Sequence, residues 1–131
     1  MPSRRVVIDH LAIGVSDLRA SRRFYLAALA PLGFGELNEW TEDRHDLAFG
    51  PAGFDDFIIS TKYPVNGGGH IAFAADSREQ VDGFHAAALA AGATDNGAPG
   101  IRPGYSPGYY AAFVLDPDGY NVEAVFHEPQ D

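Results

Sequence analysis

Two stretches of the sequence, His10-Leu-Ala-Ile-Gly-Val-Ser-Asp17 and His70-Ile-Ala-Phe-Ala-Ala-Asp-Ser77, are variants of one pattern. Each begins with a histidine and continues with the apolar residues of a β-strand. A histidine at equivalent places in two copies of one unit predicts a symmetric site, and sites built from histidines are commonly metal sites. The repeat therefore predicts where the function lies.

The repeat continues beyond the histidines when position n is aligned with position n + 60. Phe24 then meets Phe84, and Ala28-Leu29-Ala30 meets Ala88-Leu89-Ala90. Each strand is therefore predicted to be followed by an amphipathic helix. Ser16 is the predicted N-cap of the first helix, because serine commonly occupies that position.

Turn signals complete each unit. Phe49-Gly-Pro-Ala-Gly53 parallels Leu115-Asp-Pro-Asp-Gly119, and both are typical of a turn between strands. Each half therefore reads as βαβββ, within one domain over residues 1–131. We place module 1 at about 5–63, a linker at about 64–69 and module 2 at about 70–127. The stretch from Gly97 to Gly108 is predicted to be irregular and to border the site.

Strand alternation predicts which way the histidines point. His10 shares a face with Ala12, and His70 shares a face with Ala72 and Ala74. The bulky apolar residues lie on the opposite face, where a helix would pack. Small residues beside an imidazole leave the volume that a ligand pocket requires.

The second half adds a carboxylate. In Asp116-Pro-Asp-Gly-Tyr-Asn-Val-Glu123 the last residue projects from an otherwise apolar strand, where a carboxylate is unfavourable unless it is paired, hydrogen-bonded or metal-bound. Two histidines and one carboxylate form the set that suits non-haem Fe(II), and they also form catalytic zinc sites. We therefore predict that His10, His70 and Glu123 bind one divalent metal ion and leave coordination positions open for a substrate.

Composition excludes several classes of function. The chain of 131 residues is 46% hydrophobic and 21% charged, which is typical of a globular domain. Its formal net charge of −9 disfavours nucleic acid as a partner, and no apolar run is long enough to span a membrane. It has no cysteine, so a metal ion must be held by nitrogen and oxygen. The N-terminus has no signal-peptide pattern, which predicts a cytoplasmic location.

These motifs, in this order, resemble the vicinal oxygen chelate superfamily, which includes glyoxalase I, bleomycin-resistance proteins, extradiol dioxygenases and fosfomycin-resistance transferases. The resemblance rests on His10 to Leu18, Phe24-Tyr25, Gly69 to Phe73 and Asp116 to Glu123. It implies the fold class α+β, with two βαβββ modules that form a curved, cup-like mixed β-sheet with flanking helices. It also implies one divalent ion (iron, zinc, nickel or manganese), a small-molecule substrate and a homodimer with shared metal sites.

One departure from the glyoxalase I pattern leaves the reaction open. Bacterial-type glyoxalase I has a fourth ligand, a glutamate, on the last strand of module 1, whereas this chain has Asp56-Phe-Ile-Ile-Ser60, with Phe57 or Ile59 as the inward residue. Glyoxalase-like lyase or isomerase chemistry is the first interpretation. An Fe(II) extradiol-type dioxygenase is the second, and a non-enzymatic drug-binding protein of the bleomycin-resistance type is the third. The metal-ligand set favours an enzyme.

Further side chains are predicted to act on the substrate. Tyr105 is a candidate catalytic residue together with Glu123, because a phenol donates hydrogen bonds from an apolar ring. Arg102 is a candidate for binding a substrate carboxylate, and His127 is placed on the same strand face as Glu123. The predicted substrate pocket consists of Phe57, Ile59, Arg102, Tyr109, Tyr110 and His127.

Overall fold

The computed structural model of the chain describes residues 6–66 and 68–130. In chain order its elements are β1 (Leu11–Gly14), α1 (Leu18–Leu29) extended by a 3₁₀ turn (Ala30–Leu32), β2 (Gly35–Glu36), β3 (Asp46–Gly50), β4 (Phe57–Ser60), β5 (His70–Ala74), α2 (Arg78–Ala90), β6 (Thr94–Ile101), β7 (Tyr109–Leu115) and β8 (Asn121–His127). The α+β class and the βαβββ order of both halves are confirmed. Neither helix has the length and apolar character that crossing a bilayer requires, within the described ranges.

The strands form two four-stranded sheets, one for each module. Sheet A has the order β1-β4-β3-β2 and sheet B the order β5-β8-β7-β6. In both sheets the first strand of the module is parallel to its last strand, and the other pairs are antiparallel. Among the described residues no strand of sheet A pairs with a strand of sheet B, so one chain contains two separate sheets of the same topology.

Helix α1 begins one residue later than the sequence predicts. Asp17 is its N-cap, and the Asp17 side chain accepts a hydrogen bond of 3.1 Å from the backbone N–H of Ala20. The prediction of Ser16 is wrong because Ser16 has another partner: its hydroxyl and its backbone N–H both donate to the carboxylate of Asp118. Serine and aspartate are about equally good caps, so only the tertiary contact distinguishes them.

A single hydrophobic core joins the two modules. Helix α1 packs on sheet A, α2 packs on sheet B, and the helices pack against each other. Phe57 of β4 meets Phe73 of β5 edge to face, with ring centroids 5.1 Å apart. These bulky residues lie opposite the small residues of their strands. The small-residue face of each sheet therefore points away from the shared core.

The predicted pocket residues Phe57 and Ile59 belong to this core, so their assignment to a pocket is wrong. Phe57 is 2% exposed and Ile59 is fully buried. Ile58, between them, lines a groove on the opposite face of sheet A. A run of three apolar residues carries no alternation of its own, and packing against the helices selects the first and third for the core.

The segment from Gly97 to Gly108 is less irregular than the sequence predicts, because β6 extends to Ile101. Strand β6 pairs with β7 through register shifts between Asp95 and Gly97 and between Gly97 and Gly100. Such bulges interrupt the alternation by which a strand is predicted. The irregular part is therefore the loop between β6 and β7.

A buried hydrogen-bond network joins the turn before β8 to module 1. The carboxylate of Asp116 accepts from the Tyr25 hydroxyl at 2.5 Å and from the backbone N–H groups of Asp118 and Tyr120 at 2.9 Å each. The hydroxyl of Tyr120 donates to the carbonyl of Gly14 at 2.8 Å. Burial raises the pKa of Asp116, whereas the hydrogen bond from Tyr25 lowers it. The turn therefore holds the modules together.

Replacing Tyr25 with Phe is expected to destabilise the fold by about 1–3 kcal/mol, because the buried Asp116 carboxylate loses a donor. Tyr25 lowers the pKa of Asp116, so without it the folded-state pKa rises further and the ionised carboxylate becomes less favourable. The loss should therefore be larger near pH 7 than near pH 4, where the carboxyl begins to protonate. Urea unfolding followed by circular dichroism measures both values.

The control for this prediction is Tyr63→Phe, because Tyr63 is 54% exposed. Its effect is expected to stay within about 0.5 kcal/mol at either pH. A Tyr25→Phe protein as stable as the wild type near pH 7 would contradict the role assigned to the network.

Candidate functional site

The exposed face of sheet B brings His70 and Glu123 together. In the parallel pair β5 and β8, His70 lies opposite Asn121 and Ala72 lies opposite Glu123. The ring atom Nε2 of His70 is 2.9 Å from Oε1 of Glu123. Glu123 is only 2% exposed, so its carboxylate requires polar or cationic partners where it stands.

The ring of His70 is oriented by the backbone. Its Nδ1 lies 3.0 Å from the carbonyl oxygen of Asn121, and a carbonyl can only accept, so we assign the proton to Nδ1. In a neutral ring the lone pair of Nε2 then faces Glu123. A lone pair and a carboxylate oxygen are both acceptors, so a proton or a metal ion must join them. The backbone contact and the facing carboxylate are the surroundings expected of a metal-binding histidine.

Tyr109 holds the second oxygen of the same carboxylate. Its hydroxyl donates to Oε2 of Glu123. Burial, the hydrogen bond and the nearby charge of Glu123 raise the pKa of Tyr109, so the hydroxyl remains a donor at neutral pH. The sequence places Tyr109 only in the pocket lining. That its hydroxyl reaches the carboxylate of Glu123 cannot be seen without the register of β7 and β8. We call His70, Glu123 and Tyr109 the module 2 site.

The groove beside this site is mainly apolar. It has a volume of about 760 Å³ and is lined by Val6, Val7, Ile8, Ala72, Ala74, Tyr109, Val125 and His127. The structure thus places His127 in the groove, with its ring edge-on to Tyr109 at 5.2 Å. Tyr105 is 68% exposed, and its ring centroid lies 5.0 Å from that of Tyr109. Tyr105 therefore contacts the tyrosine that binds Glu123 rather than Glu123 itself.

Tyr110 does not line the groove, so this prediction is wrong. Its hydroxyl donates to Asp82 of α2 at 2.6 Å, and the guanidinium of Arg78 lies over its ring. Neighbouring residues of a strand point to opposite faces, so Tyr109 and Tyr110 cannot both face the groove.

Arg102 lies on the same face of sheet B as the module 2 site. Its Cζ lies 5.4 Å from the ring centroid of Phe113. The ring of Phe113 is 6.3 Å from the ring of His70, with the planes 24° apart. Phe113 also pairs directly with Glu123 across β7 and β8. Phe113 therefore connects Arg102 to the site, although no signal in the sequence identifies it.

His10 lies at a different place. Its Nδ1 is 2.8 Å from Oδ1 of Asp9, and this hydrogen bond, followed by the charge of Asp55, raises the pKa of His10. The potential ligand atoms of Asp9, His10 and Asp55 lie within 4.8 Å of one another. This is the one such group of three or more in residues 6–66 and 68–130, so within one chain His10 does not converge with His70 and Glu123. We call Asp9, His10 and Asp55 the module 1 site.

The two sites are related by the internal repeat. Ala12 pairs with Ile58 in sheet A as Ala72 pairs with Glu123 in sheet B. Ile58 and His10 both line a groove of about 360 Å³ on sheet A. Ile58 therefore occupies the place of a second carboxylate, and the repeat provides one glutamate rather than two.

Comparisons with known proteins agree with this architecture. The family model of the Glyoxalase/Bleomycin resistance protein/Dioxygenase superfamily matches residues 7–124. The uncharacterized protein YqjT of Bacillus subtilis (strain 168) is 32% identical, in an alignment that covers 90% of this chain and 97% of that protein.

Solved structures share the fold. The crystal structure of a glyoxalase/bleomycin resistance protein from Albidiferax ferrireducens T118 is 34% identical and has a TM-score of 0.76, covering 92% of this chain and 98% of that one. TnmS3, an antibiotic binding protein from Streptomyces sp. CB03234, is 20% identical with a TM-score of 0.66, covering 97% of this chain and 100% of its own. The resemblance inferred from the motifs is confirmed, and the chain belongs to the glyoxalase/bleomycin resistance protein/dioxygenase superfamily.

Proposed function

We propose that the protein is a divalent-metal-dependent enzyme that acts on a small oxygen-chelating molecule, with lyase or isomerase chemistry of the glyoxalase type. The observation that carries this proposal is the buried carboxylate of Glu123, held 2.9 Å from Nε2 of His70 beside an apolar groove. Imidazole nitrogen and carboxylate oxygen suit iron, zinc, nickel or manganese. A bound ion would supply Lewis acidity to a chelating substrate.

The residues around the ligands support this assignment. Tyr109 and the carbonyl of Asn121 orient the two ligand side chains, as partners of metal ligands generally do. The groove beside the ligands is lined mainly by small and apolar residues, which suit the carbon skeleton of a small molecule. Glu123 is the candidate proton acceptor, and Tyr105 stands where its exposed hydroxyl can reach a substrate.

We propose that His10 of a second copy completes each metal site in a homodimer. The small-residue faces of the two sheets point away from one shared core, so a two-fold dimer can bring module 1 of each copy to module 2 of the other. Asp9 engages Nδ1 of His10 and leaves Nε2 for the ion. Val6 and Val7 are 75% and 81% exposed beside the sheet B groove, apolar surface that a second copy would cover.

The protein is expected to bind about one divalent ion per chain, and His70→Ala or Glu123→Gln should abolish this binding. Tyr109→Phe should weaken it by about 10–100-fold, because the carboxylate loses its orienting donor. Metal analysis after purification without added metal, followed by competition titration, measures both effects.

His85→Ala is the matched control, because His85 pairs with Asp95 outside the module 2 site. Its metal content should equal that of the wild type. A wild-type protein that contains no metal and takes up none of the four ions would refute the metal-dependent enzyme.

Sharing of the site predicts complementation between variants. His10→Ala and His70→Ala should each fail to bind metal alone, whereas their heterodimer contains one intact site. When the two variants are co-expressed in equal amounts, about half of the dimers are mixed, and each mixed dimer has one intact site out of two. Co-expression should therefore restore about a quarter of the wild-type metal content.

The control mixture is His70→Ala with Glu123→Gln. Both changes lie in module 2, so every site remains defective and no metal should return. A His10→Ala protein that binds metal like the wild type would show that a single chain forms the site without His10.

Two other functions remain to be tested on the same protein. An Fe(II) extradiol-type dioxygenase is favoured by the imidazole and carboxylate ligands, and it predicts oxygen uptake when the iron-loaded protein receives catechol. Drug binding without chemistry is favoured by the exposed Tyr105 and the apolar groove, and it predicts ligand binding that His70→Ala leaves unchanged.

A further inference from the structure

We propose that Arg102 determines specificity beside the module 2 site, across Phe113 from His70, and that the molecule recognised there carries a carboxylate in addition to its chelating oxygens. This inference rests on the proposed function, because it takes the module 2 site as the point at which the chelating oxygens are held. It assigns the class of molecule: a small dianionic or monoanionic chelator with the carboxylate at its far end.

The guanidinium of Arg102 is positioned without an acidic partner. It lies over Phe113, and one of its NH₂ groups donates to the carbonyl of Ala98 at 2.7 Å. In the described ranges no carboxylate lies within 4.0 Å of it, whereas three other arginines form ion pairs with glutamates: Arg19, Arg22 and Arg78. Four of the five guanidinium N–H donors of Arg102 therefore have no carboxylate or carbonyl acceptor in the described chain.

Strand β6 makes room for this side chain. A Cβ atom added at Gly97 would lie 3.2 Å from one NH₂ group of Arg102, and one added at Gly100 would lie 3.0 Å from the other. Gly97 also has a φ of +152°, and both glycines lie at the register shifts of β6. A side chain at either place would press against the guanidinium, which would have to shift by a few tenths of an ångström.

The spacing to the metal ligands fits a small molecule. Glu123, Phe113 and Gly97 pair in succession across β8, β7 and β6. Neighbouring strands are about 4.8 Å apart, so the backbones of Glu123 and Gly97 lie about 10 Å apart. An aromatic ring with chelating oxygens at one end and a carboxylate at the other spans this distance.

Charge also favours the assignment. The chain carries a formal net charge of −9, so an anionic molecule is repelled unless a local cation offsets that field. Arginine binds a carboxylate through two parallel hydrogen bonds, a geometry that a lysine cannot reproduce. The exposed N–H edge of Arg102 supplies this geometry on the face that carries His70.

The test compares two probes that differ only in the carboxylate, catechol and 3,4-dihydroxybenzoate, by isothermal titration of the full-length metal-loaded protein. The wild type is expected to bind 3,4-dihydroxybenzoate about tenfold more tightly than catechol, because of one charge-assisted bidentate contact. Arg102→Met should remove this preference, so that the two probes bind the variant with equal affinity. Arg102→Lys should retain only part of the preference.

The control is Arg23→Met, which changes the net charge equally at an exposed position of α1. It should leave the tenfold preference unchanged. Circular dichroism verifies the fold of each variant. If Arg102→Met does not fold, the test is whether Arg102→Lys has a smaller preference for 3,4-dihydroxybenzoate than the wild type. Equal affinities for the two probes in the wild type, or the same preference in a folded Arg102 variant, overturn the proposal and show that Arg102 serves only to pack on Phe113.

The same titrations without metal separate the two proposals. Catechol binding that does not depend on metal contradicts the proposed function, whereas the difference between the two probes reports on Arg102 alone. If the protein takes up no metal, the comparison of the probes in the metal-free protein still decides whether Arg102 recognises a carboxylate.

Discussion

The parallel pairing of β5 with β8 is the constraint on which the candidate site depends. Its register sets His70 beside Glu123, and the antiparallel pairing of β8 with β7 then sets Tyr109 and Phe113 around the same carboxylate. The core on the opposite face fixes this register, because a shift of one residue would turn Glu123 toward α2. The packing that stabilises module 2 therefore also positions its polar groups.

Most of the fold follows from the sequence because the chain contains its βαβββ pattern twice. The repeat predicts both helices, the βαβββ order of each half along the chain, and the family. The misplaced pocket residues share one physical cause, because the local sequence does not show which face of a strand a residue occupies: Phe57 and Ile59 lie in an apolar run, and Tyr110 lies beside Tyr109. The hydrogen bond from Tyr109 to Glu123 depends on the register between strands, and the position of Arg102 depends on the bulges of β6.

The two modules have kept one topology while their exposed faces have diverged. Sheet B has Glu123 where sheet A has Ile58, and sheet A has Asp9 and Asp55 around its histidine. Under the proposed function, each face holds part of one ligand set. The structure places His10 on the face of sheet A and His70 with Glu123 on the face of sheet B, a division that the symmetric motifs do not reveal.

The proposed completion of the module 2 site by His10 of a second copy has a thermodynamic consequence. When donor atoms for one ion come from two chains, the affinity for the ion and the affinity between chains are linked, and each raises the other. Dilution of such a protein releases its metal, and removal of the metal shifts the equilibrium toward single chains. Metal occupancy then depends on protein concentration as well as on metal concentration, which a site enclosed within one chain does not show.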